Sequence, residues 1–509
     1  MQQSSKRLTV VAIGLSIIMF TSAIAPAQTG KVSSNMATVL LPSTSPLISI
    51  RLLFNTGAAS DPKGKEGVAA LTAAMISDGG TQRMTYAQIV EAMFPMATRF
   101  NSQVDKEMTA FYGTTHADNL NKYYDLIKDM VLNPGWREDD FNRLREDAIN
   151  YLKVNLRHNN DEELGKEALY NEIYEGHPYG HNNAGTVESL QKLTLEDLKK
   201  FYRDNYTMAN LVVGLAGGYP KGFEEKLKAD FAARLAAGSP SQVKLSSPAK
   251  IEGLQMTVID KDAPGTAISL GFPIEITRAH PDWPALLVVQ SYFGQHRSSN
   301  SYLYQRLRQI RGLNYGDYAY IEYFPRGMFQ FHPDPNIARR HQIFQIWIRP
   351  VEPKNGLFSL RAAMYELDKL VRNGMSKEDF EATREFLTKF VNLLTKDQDS
   401  QLGYALDSRY YGIPAFTDYV RERLSKLTLD DVNRAIKTYL QARDVQAVVV
   451  TTDGEAFKKA ALSGEPSPIS YTSPPGAAIL EEDKLIERFK LNFNPKQVRV
   501  VPVESVFQS

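Results

Sequence analysis

One short motif occurs twice in this chain, and it constrains the fold more than any other feature. LTLEDL at residues 193–198 recurs as LTLDDV at residues 427–432. Each copy places a Thr three positions before an acidic residue, which is typical of a capping box at the start of a helix. Each predicted helix is followed by an apolar strand, at residues 211–215 and 446–450. The spacing predicts two similar domains in sequence.

The rest of the chain fits this division. With 509 residues, 43% of them hydrophobic, the chain has material for more than one core, and its length alone suggests about three or four units. Residues 236–250 are rich in Ala, Ser and Pro and are typical of a linker. We therefore predict domains at 36–235 and 251–465, and a C-terminal extension at 466–509 that docks on the body or on a partner. Strands that alternate with helices indicate an α+β or α/β layered fold.

The N-terminus has the pattern of a secretory signal peptide. Lys6 and Arg7 precede an apolar stretch at residues 8–24, and Ala25-Pro26-Ala27 gives a small-x-small end. We expect cleavage after Ala27 and a periplasmic or secreted protein. The alternative is a retained membrane anchor, because the apolar stretch is about as long as the shortest spanning helices.

Charge and cysteine content exclude several functions. The net charge is +1, and no basic cluster with interleaved aromatic residues predicts a nucleic-acid site. The chain contains no cysteine, which excludes disulfides, thiolate metal sites and a cysteine nucleophile.

The histidines do not form a metal motif. None of the eight lies in an HxxEH or HExxH arrangement. His177 and His181 are four apart, but Pro178 and Gly180 lie between them and disfavour the helix that would align them. We interpret this stretch as a loop with ordinary histidines and predict that the chain holds no metal. The Ala-rich helix after Gly67 carries Ala70, Ala73 and Ala74 on one face.

The segment around that helix is similar to a known family. Residues 52–81, LLFNTGAASDPKGKEGVAALTAAMISDGGT, resemble the opening of the pitrilysin/insulinase family of zinc metallopeptidases, the inverzincins. In this register Ala70, Ala73 and Ala74 stand where active members carry two zinc-binding His and a catalytic Glu, and Tyr151 stands at the third zinc ligand. The resemblance implies two homologous α+β domains that face each other across a chamber, with a degenerate zinc site.

A second stretch resembles the C-terminal motif of the same family. Residues 302–320, YLYQRLRQIRGLNYGDYAY, predict a helix with Arg308, a stop at Gly312 and a strand from near Tyr315. The resemblance implies that Arg308 and Tyr315 reach a zinc site across the chamber, where both side chains can donate to a substrate carbonyl or an oxyanion. The alternative is structural: a surface ion pair for the Arg and a core ring for the Tyr.

Together these matches imply one subunit of a divided peptidase. Some family members place the zinc motif in one chain and the Arg/Tyr pair in another, and this chain resembles the second kind. Zinc is then expected in a homologous HxxEH partner, and the substrate is a peptide. The alternatives are an inactive scaffold or peptide-binding protein and, less favoured, a self-sufficient peptidase. Residues 100–112 predict a half-buried strand, either an edge strand that pairs with a peptide or an internal strand.

Overall fold

The computed structural model describes residues 36–241 and 243–509, so the predicted signal peptide lies outside the described residues. The first half is built on a five-stranded sheet with the order β1-β5-β2-β4-β3. Only the β1–β5 pair is parallel in this sheet. The strands are β1 (Ala37–Pro42), β2 (Leu47–Phe54), β3 (Asn101–Val104), β4 (Thr109–His116) and β5 (Leu211–Gly217).

Eight helices accompany the strands of the described first half. The helix α4 continues into a π-helical stretch at Tyr151–Leu156. The eight are α1 (Val68–Asp78), α2 (Tyr86–Met93), α3 (Leu120–Leu132), α4 (Glu138–Asn150), α5 (Asp161–Ile173), α6 (Val187–Lys192), α7 (Leu195–Asn205) and α8 (Phe223–Ala232).

The second half repeats this sheet. Its strands are β6 (Leu254–Asp260), β7 (Thr266–Ile274), β8 (Asp317–Tyr320), β9 (Gln342–Val351), β10 (Val445–Thr451) and β11 (Phe493–Pro502). The order β11-β6-β10-β7-β9-β8 matches that of the first sheet with one added edge strand, which comes from the C-terminal extension. The prediction of two similar α+β domains is therefore confirmed.

The helices of the second half occur in a similar order. They are α9 (Trp283–Gly294), α10 (Gly356–Asn373), α11 (Lys377–Leu394), α12 (Gln398–Tyr411), α13 (Phe416–Lys426), α14 (Leu429–Tyr439), α15 (Gly454–Ser463) and α16 (Ala477–Ile486). Both copies of the repeated motif form capping boxes, Thr194 with Asp197 and Thr428 with Asp431. No helix in residues 36–241 or 243–509 is both long and apolar enough to cross a bilayer.

Each half contributes one helix to the sheet of the other half. The helix α5 packs on β7 and β10, and α12 packs on β1, β2 and β5. Glycines permit the close approach: a Cβ on Gly214 of β5 would lie 3.1 Å from Leu402 and Leu406 of α12, and a Cβ on Gly165 of α5 would lie 3.3 Å from Ser269. Residues Met36–Ser509 form one compact unit.

One strand prediction needs correction. The stretch predicted as one strand at residues 100–112 is a hairpin of β3 and β4, because Asp105, Lys106 and Glu107 form a buried turn. The alternation of side chains continues through the turn, so sequence periodicity does not reveal it. β3 lies at the edge of its sheet. The strand predicted from near Tyr315 is present as β8, which begins at Asp317, after Gly316 with φ of 151°.

Candidate functional site

The helix α1 is held at its N-terminus by one carboxylate. Asp61 accepts hydrogen bonds from the amides of Gly67 and Ala69, at 2.6 and 2.9 Å. A carboxylate at this position satisfies free N–H groups and interacts favourably with the helix dipole. Gly67 has a φ of 94°, and a Cβ there would lie 2.4 Å from the carbonyl of Ala184. This close packing fixes the face that carries the three alanines.

Two of the four positions that the resemblance aligns with a zinc site line one cavity, which we call the polar cavity. Its volume is about 330 Å³, and both Ala70 and Tyr151 line it. Ala74 is partly exposed, whereas Ala73 is fully buried. Tyr151 begins the π-helical stretch after α4 and is 40% exposed. The structure therefore brings together residues from the two segments that the sequence comparison had aligned to the zinc ligands.

These residues do not fit a zinc ion. Zinc in proteins is held by Cys, His, Asp or Glu, and the aligned positions offer three methyl groups and a phenol. No group of three or more His, Asp or Glu suited to a metal occurs within the described parts of the chain. We therefore derive no zinc chemistry for this cavity.

Acidic side chains from α5 form another wall of the polar cavity. Glu167 accepts hydrogen bonds from the hydroxyl of Tyr323 at 2.6 Å and from the amide of Asn182 at 2.9 Å. Burial raises the pKa of Glu167, with the neighbouring carboxylate of Glu163 acting in the same direction. Edge strand β3 borders the same space through Ser102 and following residues. The cavity thus combines a sheet edge with hydrogen-bonding groups.

A further wall is the segment between β8 and β9, residues 321–341, which we call the strap. In the first half, Asp105–Met108 alone join the equivalent strands. The strap contacts both halves: Arg339 binds Asp105 through two hydrogen bonds of 2.8 and 2.6 Å. Asn336 is fully buried and binds Asp407 and the carbonyl of Gly403. The strap was not predicted from the sequence, although its greater length than the β3–β4 connection is a usable signal.

Arg308 and Tyr315 lie close to each other. Arg308 belongs to a π-helical stretch, Tyr304–Gln309, which leads into Gly312 with φ of 65°. Its guanidinium carbon lies 5.7 Å from the centroid of the Tyr315 ring. Tyr315 is 77% exposed, so it is not a core ring. Arg308 forms no ion pair with any described residue, and neither residue lines the polar cavity. Tyr315 is thus open to a molecule outside this chain, whereas Arg308 is half-buried and its Nε atom is buried without a hydrogen-bond partner among the described residues.

The C-terminal extension holds the segment that carries Arg308. Arg311, a fully buried side chain, donates to Asp483 at 2.8 Å and to Glu482 at 2.9 Å, and both acids lie on α16. Arg306 donates to Glu366 at 2.7 Å and also contacts Glu482. This cluster was not predicted from the sequence, because the arginines and their partners on α16 are far apart in the chain. The adjacent acids in an otherwise mixed segment were the available signal.

The two candidate histidines lie in a loop with their own partners. The Nδ1 atom of His177 accepts from the amide of Tyr179 at 3.0 Å, and burial lowers the pKa of His177 to about 4. His181 lies 3.2 Å from Asp61, the residue that caps α1. Both histidines therefore have structural contacts.

Comparison with known proteins identifies the family. Residues 38–187 match the model described as "Insulinase (Peptidase family M16)", and residues 192–387 match "Peptidase M16 inactive domain". An uncharacterized zinc protease of Rickettsia bellii is 26% identical over 290 residues, covering 56% of this chain and 67% of the relative. Subunit 1 of the mitochondrial cytochrome b-c1 complex of Caenorhabditis elegans is 22% identical, covering 81% of this chain and 84% of the relative.

Solved structures agree on the fold. The peptidase M16 inactive domain from Pseudomonas fluorescens superposes with a TM-score of 0.73 at 19% identity, covering 87% of this chain and 98% of that one. The periplasmic protease PqqL from Escherichia coli gives a TM-score of 0.65 at 15% identity, covering 91% of this chain and 50% of that one. The chain belongs to the pitrilysin/insulinase family, peptidase family M16.

Proposed function

We propose that this chain is the Arg/Tyr subunit of an extracytoplasmic heterodimeric zinc endopeptidase. A homologous partner with an intact HxxEH motif would hold the metal and activate water. Arg308 and Tyr315 would donate hydrogen bonds to the backbone and the developing oxyanion of a peptide substrate. A guanidinium and a phenol suit this role because both are donors, and donors aimed at an oxyanion lower the barrier to hydrolysis.

The observation that carries the proposal is the contrast between the two sites. The aligned zinc positions hold methyl groups and a phenol, whereas Arg308 and Tyr315 lie 5.7 Å apart and Tyr315 is exposed. A donor pair that serves another molecule must be accessible. Its supporting segment must also be rigid, and the buried contacts of Arg311 with α16 provide this support.

Reconstitution tests the proposal directly. The chain is used to capture its partner from the native envelope fraction, and the complex is analysed for zinc and for peptide cleavage. Cleavage is expected only when both chains are present. Arg308→Ala is expected to lower kcat by about 100-fold or more, the usual effect of removing an oxyanion donor, with assembly unchanged.

Gln309→Ala provides the matched control, because Gln309 is exposed on the same segment. This variant is expected to keep full activity. Full activity of both Arg308→Ala and Tyr315→Phe complexes contradicts the donor role. Stoichiometric zinc and chelator-sensitive cleavage in the chain alone contradict the division of labour between two subunits.

A second candidate is an inactive scaffold or peptide-binding subunit. The similarity to a subunit of the cytochrome b-c1 complex favours it, since that relative is a component of a larger assembly. In this case the captured complex contains no zinc-bearing homologue and cleaves no peptide. An adjacent secreted homologue with an intact HxxEH in the source genome favours the peptidase instead.

A further inference from the structure

The second half contains a cavity that stands in the same place as the polar cavity of the first half. We call it the apolar cavity. It lies among α9, α11 and α12, and the polar cavity lies among their counterparts α1, the π-helical end of α4, and α5. Edge strands β8 and β3 border the two spaces, and Tyr323 of the strap lines both. The duplication of the fold therefore produced two related cavities.

Individual positions support this correspondence. Phe141 of α4 and Phe380 of α11 are both buried and are each followed ten residues later by a cavity-lining ring, Tyr151 and Phe390. The exchanged helices α5 and α12 also correspond. The polar cavity is lined by Glu167 of α5, and the apolar cavity is lined by Tyr404 of α12. A carboxylate in the wall of the polar cavity is thus matched by an aromatic ring in the wall of the apolar cavity.

The lining of the apolar cavity is dominated by rings and branched aliphatic chains. These lining residues include Trp283, Leu287, Phe324, Leu387, Phe390 and Phe416. The cavity volume is about 100 Å³. A dry cavity of about 150 Å³ with a similar apolar lining accepts benzene. The apolar cavity is smaller than this, so one aromatic ring is the largest group that it takes without movement of its walls, and a fused bicyclic group is excluded.

The charged groups at the wall already have partners. Arg278 donates to Glu322 at 3.0 and 2.9 Å, and the indole of Trp283 donates to the same carboxylate at 3.1 Å. An anionic or cationic ligand would have to replace these buried contacts, which is costly.

The imidazole at the wall is also satisfied. His296 lies 2.8 Å from both the hydroxyl of Tyr320 and the carbonyl of Gln330. These partners fit a neutral ring that accepts at Nδ1 and donates at Nε2. Burial lowers the pKa of His296 to about 3, which keeps the ring uncharged at neutral pH.

We propose that the apolar cavity is a binding site for a neutral, single-ring aromatic group. The rim supports access from solvent, because Phe331 is 66% exposed and Phe390 is partly exposed. The group can belong to a free small molecule or to the side chain of a bound peptide. The site does not depend on Arg308 or Tyr315, so it stands apart from the proposed peptidase role.

Binding of fluorobenzene to the full chain, followed by ¹⁹F NMR, tests the site. Saturable one-site binding is expected. Leu287→Phe adds volume inside the cavity and is expected to weaken binding by about 10-fold or more, a free-energy change of about 1.4 kcal/mol. Leu393→Phe is the control: the same change is made on the exposed face of α11, outside the cavity, and binding is unchanged.

A second variant keeps the test independent of Leu287. Phe390→Ala enlarges the cavity and is expected to allow binding of 1-fluoronaphthalene, which the unmodified chain excludes. Competition by N-acetylphenylalanine amide assigns the site to a peptide side chain, and absence of competition assigns it to a free aromatic molecule. The proposal is overturned if fluorobenzene shows no saturable binding, or if Leu287→Phe and Leu393→Phe bind it equally well.

Discussion

The ion pair between Asp105 and Arg339 is expected to contribute strongly to stability. Its two hydrogen bonds of 2.8 and 2.6 Å join the β3–β4 turn to the strap, and hence the first half to the second. Both side chains are 1% exposed. The guanidinium of Arg339 also lies 3.6 Å from the centroid of the Tyr323 ring. Asp105→Asn removes the negative charge with little change in shape.

The expected loss in the free energy of unfolding is about 3–5 kcal/mol, because one buried charge is left without its partner. Arg339 cannot avoid this cost by losing its proton, since arginine stays charged in proteins. An asparagine at position 105 would also direct an N–H group toward one of the guanidinium donors. Replacing both residues, Asp105→Asn with Arg339→Met, removes the unpaired charge and is expected to recover most of the loss.

Urea unfolding, followed by fluorescence and far-UV circular dichroism, measures this difference. Asp334→Asn is the matched control because Asp334 pairs with Arg326 within the strap, where the arginine side chain is 55% exposed. An exposed pair of this kind contributes about 1 kcal/mol or less. The reasoning is refuted if Asp105→Asn costs no more than Asp334→Asn, or if the double variant is as unstable as the single one.

Three further predictions concern the titration of a buried carboxyl group, the contact that holds residues 304–315 in place, and the cap at the start of α14. Burial raises the pKa of Asp317 to about 8, so the folded state retains a proton that the unfolded chain releases above about pH 4. The stability of the unmodified chain relative to Asp317→Asn should therefore fall between pH 4 and 8, as paired urea midpoints will show. Asp483→Asn weakens the buried contact with Arg311 and should increase amide exchange at residues 304–315, without faster exchange in β6. Thr428→Ala removes a helix cap and should cost about 1 kcal/mol in urea unfolding.

Local patterns in the sequence were enough to predict much of the fold. Both copies of the Thr-x-x-Asp pattern form capping boxes, and each is followed by the expected buried strand. Interactions of this kind involve residues three or four apart, so the sequence displays them directly. The repeat then predicted the duplicated sheet, which a single copy of the motif could not have done.

Contacts between distant parts of the chain could not be predicted in this way. The exchange of α5 and α12 between the sheets depends on the fit of helix and sheet surfaces, for which Gly165 and Gly214 are necessary but not specific signals. The buried turn at Asp105 has the charged composition of an exposed loop. Its burial becomes intelligible only with Arg339, which is separated from it by more than two hundred residues.

The packing of α1 bears on the proposal that the chain carries a degenerate zinc site, because this site would differ from an active one by more than its ligands. Ala73, which the resemblance aligns with the catalytic Glu of active members, has no exposed surface. Ala70, three residues earlier on the same helix, borders the polar cavity. A carboxylate at position 73 would have to be buried, at a cost of several kcal/mol without a partner. A methyl group needs no partner, so the sequence could reveal the missing ligands but not the closed packing behind them. Restoring the motif in α1 would therefore also require repacking of the surrounding core.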